Sequence, residues 1–243
     1  MRVLQQAGVF FEEMDLLAIS DLQFGYEAVL QAQGIHVPVS QYAEVEVALR
    51  DMLRATHAKR VLINGDVKHH FSRPHQQEWE EVLSLLRFLK SKRVQTIFVR
   101  GNHDAFLGKI LRDQEMRLVD AYQESGYLFV HGHRLLSDYP GFRRWKPFHT
   151  LVIGHVHPAV SIRDEIGVAH KFKCLLRGKY RDQTLIVLPS LSPLASGFDV
   201  TRSEKEKEFV SPIMEQCQVG DMVPFVIDRE VGVKEFPKVK HLQ

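Results

Sequence analysis

Short apolar runs recur along the chain, each closed at once by small or polar residues: 16–19, 61–63, 96–99, 127–130 and 151–153. Runs of this length between turn formers read as buried strands. Between the early ones lie apolar positions at i, i+3, i+4 spacing: Val45, Ala48, Leu49, Met52 and Leu53, then Trp79, Val82, Leu83, Leu86 and Leu89. That spacing predicts two amphipathic helices. The second is framed by Pro74 and early Glu78, Glu80 and Glu81, and by Lys90, Lys92 and Arg93 at its end, charges that suit the helix dipole. The alternation predicts a β-α-β front half. After about residue 115 the helical spacing fades and apolar runs crowd together, at 160–162, 184–188 and 223–227, so the back half reads as strand-rich.

No internal repeat or Gly/Ser linker divides the chain, and the charge run from Arg202 to Glu208 reads as a solvated turn or edge segment. At 243 residues and 44% hydrophobic the sequence can bury a large core, and a single domain over residues 1–243 is expected. A formal net charge of +2 excludes the bulk basic excess of a dedicated nucleic-acid coat, so any anion binding must be local. Cys174 and Cys217 form no C-x-x-C pair; they read as packing residues in a reducing compartment. Gln5, Gln6, Glu12 and Glu13 interrupt any apolar stretch of a secretory signal, and no run approaches the roughly 18 to 20 apolar residues of a membrane span. A cytoplasmic location is expected. Thirteen histidines are the compositional oddity, because histidine is the commonest metal ligand.

The residues that follow the strands carry the chemistry. Asp21 follows the first, Gly65-Asp66 the second and Gly101-Asn102-His103-Asp104 the third. His131-Gly132-His133 follows the fourth, and Gly154-His155-Val156-His157 the fifth. In open α/β sheets binding groups gather beyond the carboxyl ends of the strands, so these clusters are placed to converge. A single Asp at such a point is more often a cap or turn residue, and a His-x-His pair arises by chance in a His-rich chain. Five such clusters in order are not explained by five independent turns. Asp, Asn and His are the ligand types that a two-metal hydrolytic site requires.

At these residues the sequence resembles the calcineurin-like metallophosphoesterase superfamily, whose pattern is D-x-H, G-D, G-N-H-D or G-N-H-E, a later His, and G-H-x-H. The match runs over roughly residues 14 to 160. The resemblance implies an α/β fold, the four-layer αββα metallophosphoesterase sandwich, with two divalent metal ions at the strand ends. It implies that Asp21, Asp66 and His157 hold the first ion, with Gln23 at the position of the family's His. Asp66 then bridges to a second ion completed by Asn102, His131 and His155. His103 becomes the catalytic histidine that binds no metal, and Asp104 a carboxylate that holds it protonated or fixes its orientation. Two divalent ions against two carboxylates leave a charge of about +2, which attracts phosphate. A water shared by the ions is expected to attack phosphorus in line, with the alkoxide stabilised by metal and by His103.

Two departures stand out. Asp21-Leu22-Gln23 replaces D-x-H, and a neutral amide oxygen moves the expected preference toward Mn2+ or Mg2+ and away from Zn2+ or Fe2+, with weaker first-ion binding. Gly65-Asp66-Val67-Lys68-His69 ends on His where many relatives carry an acid, so His69 reads either as a partner of the ligands or as a solvent-facing loop residue. His133 is open between site wall and packing.

Asp21-Leu22-Gln23-Phe24-Gly25-Tyr26-Glu27 and the Gly65–His69 segment are most similar to small relatives of the SbcD-type repair nucleases. That kinship implies a phosphodiesterase leaning to single-stranded nucleic acid or nucleotides. Phe142-Arg143-Arg144-Trp145-Lys146-Pro147-Phe148 mixes bases with aromatics, as single-strand surfaces do, which makes Arg143, Arg144 and Lys146 candidate substrate contacts. A small-molecule nucleotide or pyrophosphate hydrolase is the second reading, because the chain ends without the capping domain of larger repair nucleases. A weakly active or non-catalytic phosphate-binding module, motivated by Gln23, is the third. A homo-oligomer is compatible with all three.

Overall fold

Strands that are apolar on both faces need cover on both faces, and the apolar runs 16–19, 61–63 and 96–99 get it from helices on one side and a second sheet on the other. The computed structural model describes residues 1–35, 40–70, 76–202 and 211–242. The first sheet has six strands in sequence order: β1 (Arg2–Val3), β2 (Val9–Phe11), β3 (Leu16–Ile19), β4 (Arg60–Asn64), β5 (Gln95–Val99) and β6 (Arg117–Val119). From β3 to β6 all pairings are parallel, and the β1–β2–β3 pairings are antiparallel. Helices α1 (Tyr26–Ala32), α2 (Gln41–Thr56), α3 (Gln76–Ser91) and α4 (Leu107–Asp113) lie in the crossovers of this half.

The second sheet has nine strands. Its main order is β13 (Phe198–Asp199), β10 (Pro158–Arg163), β11 (Ala169–Tyr180), β12 (Gln183–Val187), β9 (Thr150–Ile153), β8 (Tyr127–Phe129) and β7 (Tyr122–Glu124). Strand β14 (Val223–Asp228) pairs with β11 and with β15 (Gly232–Glu235). Strands β8, β9 and β12 run parallel.

The period of two along each strand divides the core into layers. Leu17, Ile19, Val61, Ile63 and Phe98 face α2, α3 and α4 and meet Val45, Leu49, Met52, Val82, Leu86, Leu89 and Ile110. Their neighbours Leu16, Ala18, Leu62 and Val99 face the other way, onto Phe129, Val152, Leu175, Ile186 and Leu188 of the second sheet. The predicted helices and strands are therefore present, the strands within two residues of their apolar runs and the helices extending up to four residues beyond theirs. Cys174 is buried and Cys217 half-buried, both as free thiols. Pro74 and residues 203–208 of the charge run lie outside the described residues.

The expected α/β sandwich of two sheets is present, and its fourth layer is built from turns. Among the described residues, the outer face of the second sheet is covered by 3-10 turns, not α-helices. These turns bring Leu136, Met214, Val219 and Val239 onto Val130, Ile153, Cys174 and Leu176. The cause is visible in the chain, where the apolar residues after 130 lack i, i+3, i+4 spacing and cannot present a helical stripe.

Leu62 is fully buried between the two sheets. Leu62→Ala is expected to cost about 2–5 kcal/mol of unfolding free energy, against less than about 0.5 kcal/mol for exposed Val231→Ala, by urea denaturation. Equal effects would mean that the inter-sheet layer is not a packed core.

Candidate metal centre

The loops after β3 and β4 run on side by side beyond the sheet. Asp21 N donates to Gly65 O at 3.1 Å, Gln23 N to Asp66 O at 3.0 Å and Phe24 N to Val67 O at 2.9 Å. This pairing places Asp21 and Asp66 together, at φ +57° and +51°. His155 and His157 are also left-handed, at +66° and +48°. Asp and His tolerate that region better than most residues, but it is still sparsely populated, and such strain collects at functional sites. The glycines of the motifs answer a different need. A Cβ on Gly65 would collide with the His131 ring, and one on Gly101 with the Asp66 carboxylate.

Asp66, His131 and His155 present ligand atoms all within 4.8 Å of one another. Asn102 joins them, its Oδ1 lying 3.1 Å from His131 Nε2. His131 is fully buried, and its Nδ1–H donates to the Asn64 carbonyl at 2.9 Å, which turns Nε2 toward Asp66 Oδ2 at 3.2 Å. On the other side of Asp66 stands Asp21, whose Oδ1 is 3.0 Å from His157 Nε2. Among the described residues, His157 Nε2 is buried with the Asp21 carboxylate as its close polar neighbour and makes no well-formed hydrogen bond. That is how two ligand atoms aimed at a shared cation sit. Hard oxygens and imidazole nitrogens in two groups around Asp66 fit a pair of divalent ions.

The electrostatics agree. Burial opposes ionisation of Asp66, yet His131 and His103 hold its carboxyl well below the usual range. Burial likewise opposes Asp21, and His157 and His131 hold it down. Against its own burial, His131 is pushed up to about 9 by Asp66 and Asp21. Burial pushes His155 down to about 4, so it is a neutral ligand at pH 7.

Gln23 is in the site but not posed as the ligand its position implies. Its Nε2 donates to Asp66 Oδ2 at 3.1 Å, and its Oε1 accepts from His69 Nδ1 at 2.6 Å. A carboxylate only accepts, which fixes the amide with nitrogen toward the ligands and oxygen away. His69 is thus a partner of the site and not a solvent-facing loop residue, since its ring also stacks on His103, centroids 5.7 Å apart, and on Tyr26 at 4.4 Å.

Asp104 serves a purpose other than the one expected. Its fully buried carboxylate accepts from the amides of Asp66 at 2.9 Å, Val67 at 3.0 Å and Gly101 at 2.8 Å. It clamps the two ligand loops together. Burial and the Asp66 charge raise its carboxyl to about 6 in spite of those donors. His103 donates its own amide to Asp66 Oδ1 at 3.0 Å, and its Nδ1 bonds the His69 carbonyl.

Two positioning groups carry no motif. Gln41, buried at the start of α2, donates to the carbonyls of Leu22 at 2.8 Å and Gln23 at 2.9 Å. Lys173 on β11 donates to the carbonyls of Ser190 and Ser192, whose loop returns Ser190 Oγ–H to Asp21 O at 2.8 Å and Ser192 N–H at 3.2 Å. Among the described residues Lys173 bonds carbonyls and no carboxylate, and burial lowers it to about 8. A lone lysine in a strand gives no sequence signal for this.

His133 forms a wall of the site, its ring 5.3 Å from that of His131 and its Nε2 accepting from Arg134 Nε at 2.9 Å. Tyr139 packs on His133 and Trp145 on Tyr139, so the turn that bears exposed Arg143 and Arg144 docks beside the His131 cluster. Lys146 is exposed, its backbone paired with Gln123. Among the described residues, none of these three cations bonds the ligand groups.

The family model for calcineurin-like phosphoesterases matches residues 14–202. The chain belongs to that family. This phosphoesterase is a metal-dependent hydrolase of phosphate ester bonds, and the family implies divalent ions at the centre described above. Its fold is similar to that of nuclease MPE from Pseudomonas putida, with a TM-score of 0.63 at 16% identity over 95% of this chain and 92% of that one. The phosphoesterase Yfce from E. coli aligns at a TM-score of 0.43 and 15% identity, over 89% and 90% of the two chains. No curated protein matches this phosphoesterase in sequence. Among the described residues, no helix is long and apolar enough to cross a membrane.

With His131 held up at about 9, the metal-free site carries a proton there at pH 7. Mn2+ uptake is expected to release close to one proton at pH 7, and apparent affinity to climb as pH rises toward 9. Calorimetry in buffers of different ionisation heat reads the release, and no release would contradict the assignment of His131. Lys173→Met and Asp104→Asn should each weaken Mn2+ binding by roughly 10- to 100-fold, as loss of outer partners does, read by metal titration of folded protein.

Proposed function

We propose that this phosphoesterase is a phosphodiesterase that uses two divalent ions, Mn2+ foremost, on single-stranded nucleic acid. The observation that carries the two-ion reading is the place of Asp66, shared between His131, His155 and Asn102 on one side and Asp21 and His157 on the other. When bound, the ions supply positive charge that activates water and stabilises the phosphorane-like transition state. The chain's own residues do the rest. Asp21 and Asp66 anchor the charge, and Asp104 and Lys173 hold those two carboxylates in place. His103 Nδ1–H donates to the His69 carbonyl, which fixes the orientation of the ring. His103 Nε2, 3.7 Å from Asp66 Oδ2, is then the proton donor to the departing oxygen.

Mn2+ is favoured because Gln23 replaces an imidazole and withdraws its oxygen, leaving the first ion with Asp21, Asp66 and His157. The nucleic-acid part is supported by the rim, where Phe142, Trp145, Tyr139 and His133 form a series of rings flanked by Arg143, Arg144 and Lys146. A nuclease with this fold is among the structural neighbours. The reading takes residues 1–243 as one domain in a reducing, cytoplasmic compartment, supported by two thiols left unpaired.

Metal-stripped protein resupplied with Mn2+ should hydrolyse bis-p-nitrophenyl phosphate faster than p-nitrophenyl phosphate, and Asp66→Ala should abolish both. A single-stranded oligonucleotide should be cut with a KM that rises steeply with salt. A flat salt response, with small nucleotides the better substrates, would favour a nucleotide hydrolase instead. Gln23→His should tighten Mn2+ at the first site by about tenfold, read as stoichiometry at limiting metal.

A further inference from the structure

Just beyond His103 and Asp104 the chain turns sharply. The amide of Leu107 donates to the carbonyl of Asp104 at 3.2 Å, closing a four-residue turn whose third residue is Phe106. Phe106 has φ +68° and ψ −17°. That is the left-handed setting which type II turns require at their third residue, and which glycine or asparagine fills at little cost. For a ring-bearing side chain it is an outlier. Burial does not offset the strain, because Phe106 is 50% exposed. A turn that calls for glycine therefore carries a strained aromatic held out in solvent, and strain of this kind points toward function.

Its surroundings indicate what the ring meets. Phe106 lies three residues past His103, whose own ring continues a series through His69 and Tyr26. Exposed Lys109 follows three residues later on the first turn of α4, which carries no acidic residue. An exposed aromatic close in the chain to an exposed lysine is a combination that single-strand surfaces use, a platform for the base and a charge for the phosphate. A base next to the phosphate presented to His103 is the group such a platform fits.

We propose that Phe106 is a stacking platform for the unpaired nucleobase adjoining the scissile phosphodiester, which makes it a substrate-binding residue of this enzyme. The proposal rests on the reading of single-stranded nucleic acid as substrate. Stacking accepts any base, because every base has a π face, so it gives preference for strands that carry bases and not for a sequence.

The test compares Mn2+-loaded wild type, Phe106→Gly and Phe106→Trp on an oligothymidylate and on the same strand made wholly of abasic residues. Wild type should favour the base-bearing strand by about tenfold in kcat/KM, Phe106→Trp should keep that preference, and Phe106→Gly should cut it severalfold, with the rim rings keeping the remainder. Glycine takes the left-handed setting freely, so the Tm of Phe106→Gly should stand level with wild type or above it, separating lost stacking from lost fold. A preference kept in full by Phe106→Gly, or missing from wild type, overturns the stacking role. Wild type that hydrolyses bis-p-nitrophenyl phosphate but cuts neither strand overturns the nucleic-acid reading, and this proposal with it.

Discussion

Asp21 and Asp66 place two carboxylates at the seam of the sheets with almost no access to water. Isolated charges there would be prohibitively costly, so positive charge has to be near. Among the described residues, the groups in ion-pair reach of either carboxylate are histidines: His131 and His157 for Asp21, His131 and His103 for Asp66. Histidine answers the demand only while it is protonated, and a protonated ring cannot ligate. The site is therefore poised between two ways of balancing the same buried charge, a proton on His131 or divalent ions on the whole ligand set.

The rest of the structure reads as what it takes to hold those carboxylates in that place. Parallel strands of both sheets end at the same edge, which brings loops together from residues as far apart as 21 and 157. Asp104 binds three amides from two loops, and the 190–192 loop, held by Lys173 from the second sheet, grips the backbone of Ser20 and Asp21. Left-handed Asp21, Asp66, His155 and His157 are tolerable because these contacts over-determine them. The two-layer core supplies the rigidity, since its strands are packed on both faces up to the point where the loops begin.

Gln23 shows how a single replacement is absorbed. An amide cannot take over an imidazole's bond to a metal in kind, and here it turns its donor to Asp66 and its acceptor to His69. The two residues at which the chain differs from the pattern it resembles, Gln23 and His69, bond each other here, His69 Nδ1 to Gln23 Oε1. The Asp21 and His157 side of Asp66 thus has fewer nitrogen atoms facing it than the side of His131 and His155.

The apolar runs and the ordered clusters determined the strands, the two long helices, and the set Asp21, Asp66, Asn102, His103, His131, His155 and His157. These are local signals: period of repetition, and polar residues where a strand must stop. Which way an amide points, whether His69 faces solvent, and what Asp104 binds depend on partners 34 to 46 residues away, and no spacing rule encodes them. Lys173 and Gln41 look like any strand lysine or helix glutamine until the fold sets them under the Asp21 loop. The turn-built fourth layer was foreshadowed by the fading helical spacing, but its course was decided by which residues could cover the second sheet. Sequence determined which chemistry the chain carries, because ligand types and strand ends are written locally; tertiary structure decided which groups bind, clamp or face the substrate, because those roles depend on distance and direction between segments.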